Sequence, residues 1–262
     1  MQLKKSLVLA FAALSLASMP AMSHELMLKA REAHPAQGAA FTVDLMSSHV
    51  FVVSQEIEEG VDVVELKGDK TEVLPAKTDE AALTVAAEAK ATGETQIFGA
   101  ARLGSKYAVT NKGGKGGKDI TRKSLEAEGL KVKSINMYDK YAKTIVNAKA
   151  GDEGYKKMLG HDVELVLMQN PAEIKVGDWV DVQVLHRGNP ESVPVYATYD
   201  GFSPKYENTY AFYTEGDPEG MAHIKITAPG TWMVRVESNE MGVDGEYDKR
   251  IIRTTLTFTV NE

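Results

Sequence analysis

From residue 160 onward the chain alternates apolar and polar residues in short runs, and this period of two excludes helix over most of the C-terminal half. The runs fall at 163–168, 179–185, 193–199, 206–213, 222–227, 231–237 and 251–260. Turn-forming residues separate them: Gly177-Asp178, Gly188-Asn189-Pro190, Asp217-Pro218-Glu219-Gly220 and Pro229-Gly230. Each run is therefore expected to be a half-buried strand bounded by a tight turn. Trp232 and Phe258 sit in such runs and are expected in the core.

The first half reads as strands too, less regularly. Runs at 24–30, 39–46, 61–66, 82–87, 95–100 and 107–110 are punctuated by Gly, Asp, Lys and Pro. Asn111 to Lys118, NKGGKGGK, reads as a solvated basic loop, because it lacks the preceding apolar strand and the Lys-Ser/Thr ending of a phosphate-binding loop. Residues 134–149 are expected to be a helix: Ser134 is a candidate N-cap, and Ile135, Tyr138, Ala142, Ile145 and Val146 fall on one helical stripe. A shorter helix is expected at 121–128, and 151–157 reads as a linker. The fold class is accordingly all-β, with two β-sandwich-like domains. Residues 24–158 form the first, carrying the helix at about 134–149. Residues 159–262 form the second, an immunoglobulin-like sandwich of seven strands.

Residues 1–23 have the form of an export signal. Lys4 and Lys5 precede an apolar stretch at 7–17, and Ala21-Met22-Ser23 places small residues at −3 and −1 of a cut before His24. A cut after Ala21 is the alternative. Removing this segment, which holds two lysines and no acid, moves the formal charge from −7 to −9. An acidic chain is a poor partner for nucleic acid and suits cation handling. No later apolar run approaches the roughly 18 residues needed to cross a bilayer, so the expected location is the periplasm. The chain has no cysteine, so any metal site must use histidine, carboxylate, amine or methionine.

His24 is the residue of most interest. As the first residue after the cut it would offer an α-amine and imidazole Nδ1 to one ion. The six histidines, His24, His34, His49, His161, His186 and His223, show no zincin or finger spacing. His49 follows the second strand, and an antiparallel return brings it to the sheet edge where His24 begins. Two imidazoles and an amine suit nickel, copper or cobalt. His161 opens the second domain and is a further candidate near a site. His34 and His186 read as turn residues and His223 as solvent-facing. Glu56, Glu58 and Glu59 read as a solvated charge run, and no nucleophile–base assembly is present.

Three segments carry a resemblance to a known family, the secreted periplasmic components of nickel/cobalt transport systems. They are His24-Glu25-Leu26-Met27-Leu28 at the mature start; 138–147, YDKYAKTIVN, similar to the family's "KYxKAIVN"; and the blocks GHDVELVLMQNPAEIKVGDWVDVQVLHRGNP, VYATYDGF and GMAHIKITAPGTWMVRV. The chain departs from the family where Val50-Phe51-Val52 replaces a Pro-Phe-Glu-like segment, and where Met27 or Leu28 stands at a common tryptophan. The resemblance implies that His24 and His49 are metal ligands. It also implies a non-enzymatic carrier delivering nickel or cobalt to an ABC-type or energy-coupling transporter, or working with an outer-membrane receptor. The rivals are a copper histidine-brace protein, an oxidase or copper carrier, and a structural adhesion module.

Overall fold

A computed structural model describes residues 24–261; the export segment expected at 1–23 lies outside the described residues. The first half contributes β1 (Glu25–Ala30), β2 (Ala40–Ser48), β3 (Val63–Lys67), β4 (Lys70–Val73), β5 (Ala76–Asp79), β6 (Thr84–Lys90), β7 (Gln96–Thr110), β8 (Gly113–Gly117), helix α1 (Arg122–Ala127) and β9 (Val132–Val146). The second contributes β10 (Val163–Leu167), β11 (Trp179–His186), β12 (Asn189–Pro190), β13 (Pro194–Tyr199), β14 (Phe212–Glu215), β15 (Met221–Lys225), β16 (Gly230–Val243) and β17 (Tyr247–Val260). The fold is all-β, as expected.

The strands form three sheets. A nine-stranded sheet runs β14-β13-β16-β17-β9-β7-β3-β4, with β8 added on β7. The sheet β1-β2-β6-β5 covers one of its faces, burying Leu26, Leu28, Phe41, Val43 and Leu45 against Phe98, Ala100 and Ala142. The sheet of β10, β11, β12 and β15 covers the opposite face, burying Val163, Leu165, Val180 and Val182 against Val195, Trp232, Val234 and Leu256. In the second half β10-β11-β15 oppose β14-β13-β16-β17. That is the A-B-E against C-F-G arrangement of an immunoglobulin-like sandwich. Trp232 is fully buried, and its Nε1 donates to the Ala228 carbonyl at 2.9 Å. Of the run expected at 206–213, only the end enters a strand, β14.

The two sandwiches share their middle. β9 and β17 pair in parallel, Asn136 opposite Lys249 through Thr144 opposite Thr257, in a sheet otherwise antiparallel. Both covering sheets overlap at this pair, so residues 139–146 of β9 are all buried.

This corrects the helix expected at 134–149, which is β9. Its stripe of apolar residues is a strand buried on both faces, where alternation disappears and only length and β-branching distinguish strand from helix. The polar residues that imitated a helix's wet face are buried instead: Lys140 and Lys143 are each 1% exposed. Lys140 meets Glu58 at 3.3 Å on the β1 side, and Lys143 meets Glu164 at 3.1 Å on the β10 side. The short helix expected at 121–128 is α1, with Thr121 as N-cap accepting from the Ser124 amide.

The runs expected at 95–100 and 107–110 fall in one strand, β7, not two; a bulge between Arg102 and Ser105 accounts for the apparent break. NKGGKGGK is likewise no free loop. Its glycines form β8 along β7, where a Cβ on Gly114 would collide with the Tyr107 hydroxyl.

Edge strand β1 is fastened by side chains of the central sheet. Thr255 Oγ1 donates to the Leu26 carbonyl and Thr257 Oγ1 to the Leu28 carbonyl, both at 2.6 Å. On the other face Thr254 Oγ1 donates to the Val163 carbonyl at 2.9 Å. Carbonyls that an edge strand would otherwise bury unpaired are thus satisfied, each bond worth about 1 kcal/mol net.

Candidate metal centre

β1 and β2 pair antiparallel with Glu25 opposite Ser48 and Met27 opposite Met46. One step beyond that register, His24 faces His49. Their ring centroids are 4.5 Å apart with the planes at 57°. The juxtaposition follows from local sequence: an alternating run, a turn at residues 35–38 and a second run long enough to return.

His49 is held by its backbone. Its amide donates to Gln55 Oε1 at 2.8 Å, and its carbonyl accepts from the Asn208 amide at 2.9 Å. Gln55 also accepts from Ser48 Oγ at 2.9 Å and donates through Nε2 to Glu207 Oε1 at 3.2 Å. The loop after β2 then returns, with Ser47 bridging Glu56.

That return delivers Glu56, one of the three acids expected in a solvated charge run. Glu56 Oε1 lies 2.7 Å from His24 Nδ1 and 2.7 Å from Ser47 Oγ. Partial burial pushes the Glu56 carboxyl upward, but hydrogen bonds from His24 and Ser47 and the nearby charges of His24 and Lys140 outweigh it. Glu56 is thus held below the ordinary glutamate range. Glu58, expected in solvent, is buried and pairs with Arg102 Nη1 at 3.0 Å and with Lys140. Glu59 is exposed, as expected. A signal for Glu56 existed in Ser54-Gln55, polar residues that can turn a loop back on Ser47.

Beneath the histidines lies a soft apolar floor. Met27, Met46, Phe51 and Met233 form a separate buried cluster. A cavity of about 10 Å³ is lined by Glu25, Met27, His49, Tyr210 and Met233 among others. Glu25 is itself buried, its Oε1 3.1 Å from Arg235 Nε. Burial and the charge of Glu25 push the Tyr210 hydroxyl up to about 12, so it stays protonated. Organic ligands need pockets of about 300 Å³ or more; this one has room for nothing larger than an ion or a water.

His161 does not join the pair. It stacks on Tyr141 at 4.6 Å, under the β10 sheet, with the nine-stranded sheet between it and β1. Desolvation lowers its pKa to about 4, so it is neutral at pH 7. Lys143 and Glu164 beside it form a closed pair. Glu164 accepts from the amides of Leu159, Gly160 and His161, and Lys143 donates also to the Lys157 carbonyl at 2.6 Å.

The other histidines lie elsewhere. His34 Nε2 contacts Asn261 at 2.8 Å. His223 is exposed beside Asp181 at 2.6 Å, in line with its solvent-facing assignment. His186 is no simple turn residue: it is largely buried at the end of β11, 3.0 Å from Glu240 and 3.5 Å from Glu191. Among the described residues no group of three or more His, Cys, Asp or Glu is arranged to hold a metal ion.

No curated protein matches the chain. Among solved structures it is similar to the mouse nectin-like molecule 4 ectodomain, at 9% identity and a TM-score of 0.22, over 91% of this chain and 65% of that one. It is also similar to the BSP domain of a biofilm associated protein, at 10% identity and a TM-score of 0.25, over 92% of this chain and 52% of that one. The chain thus spans less than two thirds of either structure, and at these scores neither likeness bears on function. Residues 21–240 match the family described as domain of unknown function DUF4198, and the chain belongs to that family.

Proposed function

We propose that this protein is a periplasmic carrier that captures nickel or cobalt at His24 and His49 and passes the ion to a membrane transporter. The observation that supports this reading is the pairing of the two imidazoles at the open end of β1–β2, with Glu56 on His24 Nδ1. Side chains alone supply two imidazoles and a rim carboxylate. Cleavage before His24 would add the α-amine and complete a three-nitrogen set suited to these ions. Glu56, which contacts Nδ1, would then yield that nitrogen to the ion. The neighbouring cavity is too small for an organic substrate, in keeping with binding and release rather than turnover. Ligand deprotonation makes capture weaken as pH falls through the histidine range.

The test is calorimetric titration of nickel, cobalt and copper into the protein with His24 at its N-terminus. His24→Ala and His49→Ala should each weaken binding by at least tenfold, since each removes a donor. One added residue before His24 should do nearly the same while leaving every side chain in place. Unchanged nickel and cobalt affinity across the three would end this reading. One observation favours the copper alternative. Met27 and Met233 line the cavity beside His49, and thioether sulfur is a soft donor that selects Cu(I). Tight binding of copper alone, lost in Met27→Leu, would favour that reading instead.

A further inference from the structure

The chain carries an overall charge of −7, yet residues 102–133 hold nine Lys or Arg against three acids. The basic loop of the sequence belongs to this stretch, and the structure folds it into the wall of a cleft. β8 lies along β7, and a space of about 330 Å³ lies against β8, β7 and β9 beside the bulge at residues 102–105. Its side-chain lining is Arg102, Ser105, Lys106, Tyr107, Lys118 and Tyr138, with Gly116 and Gly117 completing the wall. No carboxylate contributes to it.

Several features make this a shaped site rather than a diffuse field. Arg102 is anchored by buried Glu58 at 3.0 Å, which fixes its guanidinium. Tyr107 is seated across the glycine strand: a Cβ on Gly114 would overlap its hydroxyl, and one on Gly116 would lie 3.7 Å from its ring. Arg253, paired with Glu237 at 3.0 Å, sits over the Tyr138 ring 5.8 Å from its centroid and helps fix the aromatic wall. Lys106 and Lys118 form no ion pair among the described residues, unlike Lys115, which pairs with Glu128, and Arg122, which pairs with Asp248. The volume lies at the lower end of small-molecule pockets, and the available donors are ammonium, guanidinium, hydroxyl and phenol.

We infer that this cleft binds a small oxyanion carrying two or more negative charges, a polycarboxylate or a phosphate. The site is separate from His24 and His49 and does not depend on the metal reading.

The experiment is calorimetric titration of citrate and of pyrophosphate in 150 mM salt, where weakly held surface charge is screened beyond about 8 Å. It is run on the whole protein and on a His24→Ala/His49→Ala double variant, so that an anion held through a metal cannot account for the signal. Saturable 1:1 binding in both proteins is expected, and the tighter anion identifies the phosphate or the polycarboxylate class. Lys106→Gln and Lys118→Gln should each weaken it about tenfold, as for loss of a charge-assisted hydrogen bond. Gly114→Ala, which displaces Tyr107 and leaves the charge unchanged, should also weaken it, whereas Lys112→Gln/Lys123→Gln should change it less than twofold. Absence of saturable binding, loss of binding in the histidine double variant, or equal weakening by the Lys112/Lys123 pair would overturn the inference. So would full affinity in Gly114→Ala with a native circular-dichroism spectrum.

Discussion

The two faces of the central sheet use the same devices for different ends. Each covers β9 and β17, each ties a neighbouring strand by threonine, and each buries a lysine–glutamate pair. Under β10 the network is closed. Lys143 has one carboxylate and backbone carbonyls, Glu164 has three backbone amides, and His161 is stacked and neutral. Under β1 the network leads outward: Lys140 meets Glu58, Ser47 lies 2.8 Å from Glu58 and 2.7 Å from Glu56, and Glu56 reaches His24. A histidine's usefulness here is set by the face it occupies. The rim histidine is connected to a half-exposed carboxylate, whereas the enclosed one is committed to packing.

The sharpest way to break this comparison is to remove one lysine from each face. Lys143→Met leaves buried Glu164 without a cation and should cost about 3–5 kcal/mol in denaturant unfolding. Lys140→Met should cost about half as much, because Glu58 retains Arg102. Equal losses would show that the faces are not energetically distinct.

Acid is the next probe. The folded pKa of His161, about 4, lies below its unfolded value near 6.5. Above pH 6.5 neither state binds the proton and stability is unaffected. Between pH 6.5 and 4 the unfolded chain takes it up first, so stability falls, by at most about 3 kcal/mol. His161→Phe should flatten that part of the pH–stability curve, and an unchanged slope would place the acid sensitivity elsewhere.

The threonines give the smallest effect and the cleanest functional contrast. Thr255→Val and Thr257→Val each leave a buried carbonyl of β1 unpaired and should cost about 1–2 kcal/mol, as should Thr254→Val beneath β10. Only the first two should also weaken nickel or cobalt binding, since only they hold the strand that presents His24. Parallel melting and titration of the three variants checks this.

Much of the architecture was legible because most strands have one wet face. Residues 179–185 and 231–237 alternate and fall in β11 and β16. β9 was not legible, because a strand covered on both sides carries no period of two, and its buried lysines mimic a helix's polar stripe. β4 and β5 escaped for the opposite reason: they are almost wholly exposed and present no apolar pattern. The meeting of His24 with His49 could be read from strand lengths and an antiparallel return. Glu56 was only faintly legible: Ser54 and Gln55 signal a turn, but the loop's return onto Ser47 rests on their tertiary hydrogen bonds, which no local pattern encodes. His161 looked suitable by position, and only the layer order shows which side of the sheet it occupies.

The two threonine hydroxyls grip β1 at alternate carbonyls, and this works as an index mark on the strand. Leu26 and Leu28 are the positions engaged, and a slide of one residue would lose both grips and turn the apolar face of β1 outward. The residue two places before Leu26 is therefore always the one opposite His49. The fold has no slack at this position, so under the proposed cleavage before His24 a cut one residue late would remove the imidazole that faces His49, and no neighbouring residue could slide into its place.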